Sequence, residues 1–330
     1  MPNWVYNTIS NYTEDLHEKY KGEDEEIDFN KIIPEPEEIS NTISGSISTD
    51  AKQIVAYRDY CQRITDSGKE ITDSIKYDSK NPLKKPVEDI ADRALNNIGE
   101  VCVENPDKSL NQLIEEPVDS NCRDYRRADL KSQYERYTDL FGNVGYSKVK
   151  NMQQIYQKYI DIKEESFQRD KVSEFHKDAL KDYKSIEDYG RRLYELKEKY
   201  GFDNWYDWRC ANWGTKWNAS ETSYDEENQT VRFDTAWSIP YPIIAKIADD
   251  NPKANLDGYS EEETGWFEEY KSQDGKLIVT ARGDLSYDEE TDETTENREE
   301  VEPNPISYTE MRKEYVNDWN CFKQSIDKIL

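Results

Sequence analysis

Five of the eight Trp, Trp205, Trp208, Trp213, Trp217 and Trp237, fall within 33 residues, interleaved with Arg209 and Lys216. Indole faces stack on bases, sugars or peptides and their N–H groups donate. This block is therefore either a ligand platform or the filling of a small core poor in Leu and Val. In the second case Arg209 and Lys216 are cation–π or capping partners, and Gly214 permits a tight turn. The second concentration of chemistry is acidic. Glu23-Asp24-Glu25-Glu26, Glu261-Glu262-Glu263 with Glu268 and Glu269, and eight acids from Asp288 to Glu300 form dense runs. Such runs are ordinarily solvated faces or loops. Carboxylates spaced along a folded edge also approximate the field of duplex DNA, which carries one charge per ~1.7 Å of axis. A surface of that kind fits the basic channel of a nucleic-acid-binding protein, with electrostatic steering and strong salt dependence.

Other chemistry has little footing. His17 and His176 are isolated, with no Cys or Asp at ligand spacing. No GxGxxG, GxxxxGK or GxSxG occurs. No catalytic residue, metal or cofactor is expected, and the chain reads as a non-enzyme. The one metal alternative is a divalent-cation site of Asp203, Asp207 and Asp234 around the Trp block, which capping and Lys/Arg pairing explain more simply. Cys61, Cys102, Cys122, Cys210 and Cys321 are scattered and never form CxxC, as in a reduced cytosolic protein. The opening MPNWVYNTIS has neither a basic nor an apolar signal region, and no apolar run approaches the ~20 residues of a membrane span.

The elements that position these residues follow from charge and periodicity. The chain has 330 residues, 71 Asp+Glu and 44 Lys+Arg, a net charge of −27. At that charge, direct binding to a phosphate backbone is repelled. Residues 1–50 carry −9 and residues 201–300 carry −16, whereas 51–200 carry only −1. The simplest arrangement is an acidic domain of 1–50 plus 185–330, with 284–305 an acidic loop, and an inserted helical module at 51–184. In the middle, apolar residues recur at helical spacing over Ile54–Ile64, Val87–Val101, Leu130–Phe141, Met152–Ile162, Val172–Tyr183 and Ile186–Tyr200. The ends alternate with period two: a strand over 3–10, a hairpin over 219–237, a short helix over 243–250, a strand near 254–259 and a hairpin across Asp274-Gly275. Strand, helix, strand, strand, helix, strand is the ferredoxin-like split βαβ plan. The predicted fold class is α+β: a ferredoxin-like antiparallel sheet built from both chain ends, with the helical module in the first crossover.

Particular residues also carry a resemblance. They are Met1-Pro2-Asn3-Trp4 with Asn7, the segment Phe29-Asn30-Lys31-Ile32-Ile33-Pro34-Glu35-Pro36-Glu37-Glu38-Ile39, and Trp205-Tyr206-Asp207-Trp208-Arg209 followed by Asn212-Trp213-Gly214-Thr215-Lys216-Trp217. Phe233-Asp234-Thr235-Ala236-Trp237, Pro240, Pro242 and the acidic stretch Tyr259–Gly265 continue it. These resemble the YubB-type ferredoxin-like domain family of phage and plasmid proteins, over about 1–40 and 185–280. The resemblance implies a mobile-element origin and a small α+β sheet domain in the host bacterial cytosol, and no particular reaction. The long insertion and the acidic tail depart from the family pattern.

The functional expectation is protein–protein binding. The acidic surface would act as a DNA mimic or anti-defence inhibitor on a host protein with a basic nucleic-acid-binding surface. The alternatives are a ligand-binding domain or cryptic enzyme on the Trp block, and an oligomeric scaffold made through the helical insertion.

Overall fold

The computed structural model describes residues 3–116, 125–142, 146–288 and 293–329. Met1, Pro2, Cys122 and residues 289–292 of the last acidic run lie outside the described residues. In chain order the elements are β1 (Trp4–Ser10), α1 (Glu14–Tyr20), α2 (Phe29–Ile32), α3 (Glu37–Ser40), α4 (Ser46–Asp66), α5 (Lys84–Glu104), α6 (Leu110–Glu115), α7 (Tyr125–Phe141), α8 (Met152–Asp170), α9 (Lys177–Leu180) and α10 (Ile186–Tyr200). They continue with α11 (Trp205–Asn212), β2 (Ser220–Asp225), β3 (Thr230–Ala236), α12 (Tyr241–Asp250), β4 (Asp257–Glu262), β5 (Trp266–Gln273), β6 (Lys276–Asp288), β7 (Glu293–Glu300) and α13 (Tyr308–Ile329).

The chain divides into two compact units, Met1–Thr42 with Lys199–Leu330, and Ile43–Glu198. These boundaries fall at 42/43 and 198/199, against the expected 50/51 and 184/185. The second lies beside the change in charge at residue 200, and α10 goes with the helical unit because Tyr189 and Leu193 are buried in its core.

In the first unit the described strands form one antiparallel sheet in the order β2-β3-β1-β4-β5-β6-β7. The four strands β2-β3-β1-β4 reproduce the ferredoxin-like plan. β1 lies between β3 and β4, and the first crossover, from β1 to β2, contains α1–α11. Period-two alternation gives the sheet two faces. Val5, Asn7 and Ile9 of β1, Val231, Phe233 and Thr235 of β3, and Ser260 of β4 are buried on one face. That face meets Phe29, whose ring is edge-on to Phe233, while Tyr241 of α12 is edge-on to Tyr270 of β5. Asn7 is the polar pin of this face. Its amide donates to the Phe233 carbonyl (3.2 Å) and the Thr235 hydroxyl (3.0 Å) and accepts from Ser260 (2.9 Å). Each of these buried polar groups thereby keeps a partner, which unpaired burial would make costly. Gly258 lies beneath the Tyr270 ring, so a Cβ there would sit 1.9 Å from Cε2.

The sheet then extends beyond the four-strand plan. β5 and β6 join through Asp274-Gly275, both at positive φ (51° and 78°), as a two-residue hairpin requires. Within 284–305, expected as an acidic loop, residues 284–288 and 293–300 instead belong to the antiparallel pair β6–β7. Cross-strand ion pairing makes this tolerable: Arg298 donates to both carboxyl oxygens of Glu269 and, at 2.9 Å, to Glu300.

The second unit is helical. Its main core gathers Ile54 and Tyr57 of α4, Val87 and Ala91 of α5, Met152 and Tyr156 of α8, and Ile186, Tyr189 and Leu193 of α10. Gly190 lets the backbones of α10 and α4 meet, for a Cβ there would lie 2.4 Å from the Ala51 carbonyl oxygen. The helix expected over Val172–Tyr183 is reduced to the single turn of α9. Phe175 is 93% exposed and Val172 81%, so only the later part of the expected stripe, Ala179 and Tyr183 beside the buried Leu180, packs on the core.

Candidate functional site

Two parts of the Trp block separate by burial. Trp213 and Trp208 are core residues, with rings edge-on at 5.8 Å. The Trp213 indole N–H donates to the Ile33 carbonyl at 2.9 Å, and its ring meets Phe29 edge-on. Arg209 of α11 lies 5.0 Å from the Trp205 ring centroid and 4.8 Å from that of Trp213. Its Nε reaches both Glu35 oxygens at 3.1 Å and its Nη2 one of them at 2.7 Å. The segments 29–39 and 205–217 are therefore locked together by packing, a bidentate ion pair and cation–π contact. The Glu35 side chain is only 2% exposed.

The other part is accessible. Trp217 is 39% and Trp237 50% exposed, and the Lys216 ammonium lies between them, 3.8 Å and 3.5 Å from the ring centroids. Trp4 closes the group, 6.1 Å from Trp217. Trp237 stands at the end of the hairpin expected over 219–237, two residues beyond the buried Thr235 of β3. It leaves the strand at φ +71°, in the left-handed region rare for a bulky residue, with its N–H bonded to the Asn3 carbonyl. Gly214 turns the chain at φ +82° against Pro242, where a Cβ would be 2.8 Å from Cδ. Burial lowers the Lys216 pKa.

The second face of the sheet carries the acidic residues. In strict cross-strand register, Asp234 of β3 lies opposite Tyr6 of β1, which lies opposite Glu261 of β4. Asp234 is held above the usual carboxylate range by burial first, then by the negative charges of Glu221 and Glu26. Tyr6 is raised by burial and then by Glu263, Asp234 and Glu261. The acidic runs 23–26 and 261–263 thus act on one row of the sheet. Glu221, absent from the sequence expectation, also acts on Asp234; its sequence signal is its place in a strand pairing with β3.

The other expected acids are engaged differently. Glu25 pairs with Lys21 at 2.8 Å, and Glu269 pairs with Arg298. Glu262 is buried and accepts from Thr264, while Glu268 accepts from Tyr241 on the helix-covered side. Glu26 accepts from the Thr222 N–H and Glu263 from the Trp4 N–H, both at 2.7 Å. Glu23 and Asp24 are exposed on the connection between α1 and α2. The nine acids do not form a single stripe; the row through Asp234 and Glu261 is the connected part.

Asp203 and Asp207 both accept from the Asn204 amide, at 2.7 and 2.9 Å. Among the described residues no group of three His, Cys, Asp or Glu could hold a metal ion, so these two and Asp234 are not assembled into a cation site. Among the described residues no helix is long and apolar enough to cross a membrane.

Residues 212–302, from the end of α11 through β7, match the family model described as a ferredoxin-like domain in Api92-like protein. No curated protein and no solved structure matches the chain.

Proposed function

We propose that this is a non-enzymatic, phage- or plasmid-type accessory protein of the YubB-like kind, working in the bacterial cytosol by binding another protein through the acidic face of its sheet. The partner presents a basic surface of the sort that otherwise holds nucleic acid. The observation that carries this reading is the registered row Asp234–Tyr6–Glu261, flanked by Glu26, Glu221 and Glu263. The negative charges of Glu221 and Glu26 around Asp234 disfavour its ionised form in the folded chain. A partner's Lys and Arg side chains would relieve that repulsion on binding, and the net charge of −27 would steer the encounter. Tyr6, 41% exposed at the centre of the row, supplies the aromatic anchor that charged interfaces commonly need.

The test is affinity purification of the full chain from bacterial extract at low and at raised salt. Capture at low salt of a basic nucleic-acid-binding protein, released by added duplex DNA, supports the reading. Absence of any such partner at low salt refutes it.

A further inference from the structure

The geometry points to a second binding site, independent of the acidic face: a cavity beside Lys216 and Trp237 that takes a planar aromatic monocarboxylate. The cavity has a volume of about 330 Å³ and is lined by side chains including Tyr206, Cys210, Lys216, Trp237, Asp318 and Trp319. That volume lies at the lower end of small-molecule sites, roughly 300–1,000 Å³, and suits one or two fused rings. The aromatic walls come from α11, the turn after β3, and α13, so a flat ligand is offered ring faces and edges from three elements.

Lys216 supplies the charge preference. Its ammonium is packed against two indoles, and the contacts described for it are with aromatic rings. In a chain with 71 carboxylates against 44 Lys and Arg, Lys216 is nonetheless held by indoles rather than by an acid. Two cation–π contacts leave the ammonium's remaining N–H donors to the cavity it lines. Burial lowers its pKa, which is the direction in which an incoming carboxylate compensates. Asp318 is the only other charged lining residue. It disfavours dianions such as phosphate esters, and no Arg fork is present in the lining to hold a phosphate. The left-handed φ of Trp237 is strain placed where the indole edges the cavity, as at other ligand-holding positions.

The probes are indole-3-carboxylate and its neutral amide, titrated into the full chain by ligand-observed saturation-transfer NMR. The acid should bind saturably and at least tenfold more tightly than the amide. Lys216→Gln should bring the two to equal affinity, while Lys216→Arg keeps the preference for the acid. If Lys216→Gln does not fold, the unaltered protein decides: raising the pH should erase the preference as the ammonium deprotonates. Equal affinity for acid and amide, no saturable transfer from the acid, or an acid preference that survives Lys216→Gln would each overturn the proposal.

Discussion

Arg209→Met removes the cation that binds the two chain segments of the first unit, 1–42 and 199–330, to each other. The guanidinium makes three N–H···O contacts of 2.7–3.1 Å with Glu35 and packs between Trp205 and Trp213. Methionine keeps apolar bulk between the rings but leaves a carboxylate whose side chain is 2% exposed without its cation. Breaking a buried pair on one side costs about 3–5 kcal/mol, against about 0.2–1 kcal/mol for an exposed pair. The first unit has about 170 residues, for which 1 kcal/mol corresponds to roughly 2–4 °C in Tm, so a fall of about 10 °C is expected. All eight Trp lie in this unit, so their emission during urea unfolding reports it without contribution from the helical unit. Arg209→Met combined with Glu35→Met should recover most of the loss, because replacing both partners by apolar groups is often close to neutral. A loss below about 1 kcal/mol for the single variant would refute the reasoning.

Three further outcomes follow from the geometry. Gly258→Ala should cost about 3 kcal/mol or more by the same fluorescence assay, since its Cβ would sit 1.9 Å from the Tyr270 ring, beyond ordinary overpacking. Gly190→Ala should lower the stability of the helical unit by about 1–3 kcal/mol through its clash with the Ala51 carbonyl, read by far-UV circular dichroism because that unit contains no Trp. Asp234 has a folded pKa raised above its ordinary 3.8. Its ionised form is therefore the one disfavoured by folding, a penalty complete above the folded pKa and gone as pH falls below the ordinary value. Asp234→Asn should accordingly raise stability slightly at pH 7, by no more than about 0.5 kcal/mol, with the gain shrinking as the pH is lowered towards 3.8.

Much of the sheet was legible because its signals are local. Alternation marked β1 and β3, and Asp274-Gly275 marked a two-residue hairpin. The helix α13 was not read, although its start carries a reciprocal cap: Ser307 N–H and hydroxyl donate to Glu310, whose N–H returns to Ser307. Its apolar residues Met311, Tyr315 and Trp319 recur every four positions, a signal that could have revealed it and with it one wall of the Lys216 cavity. Strand β7 was hidden because its residues are mostly Glu and Thr, and the ion pairs of Arg298 with Glu269 and Glu300 help accommodate those charges. The division of the Trp block was not legible either. Trp213 and Trp217 stand four residues apart, yet the turn at Gly214 sends one into the core and the other to the surface. For the acids, sequence density was a poor guide to availability: Glu262 is buried and Glu269 paired, while Asp234, outside every run, forms one end of the row.

The acidic face is tested most directly by measuring the affinity of the full chain for its captured partner against salt concentration, with and without the substitutions Asp234→Asn and Glu261→Gln. An electrostatic, DNA-like contact predicts affinity falling at least tenfold between about 50 and 200 mM salt, displacement by duplex DNA, and at least tenfold weaker binding by the doubly substituted chain. Affinity that is insensitive to salt and unchanged by the two substitutions would contradict it.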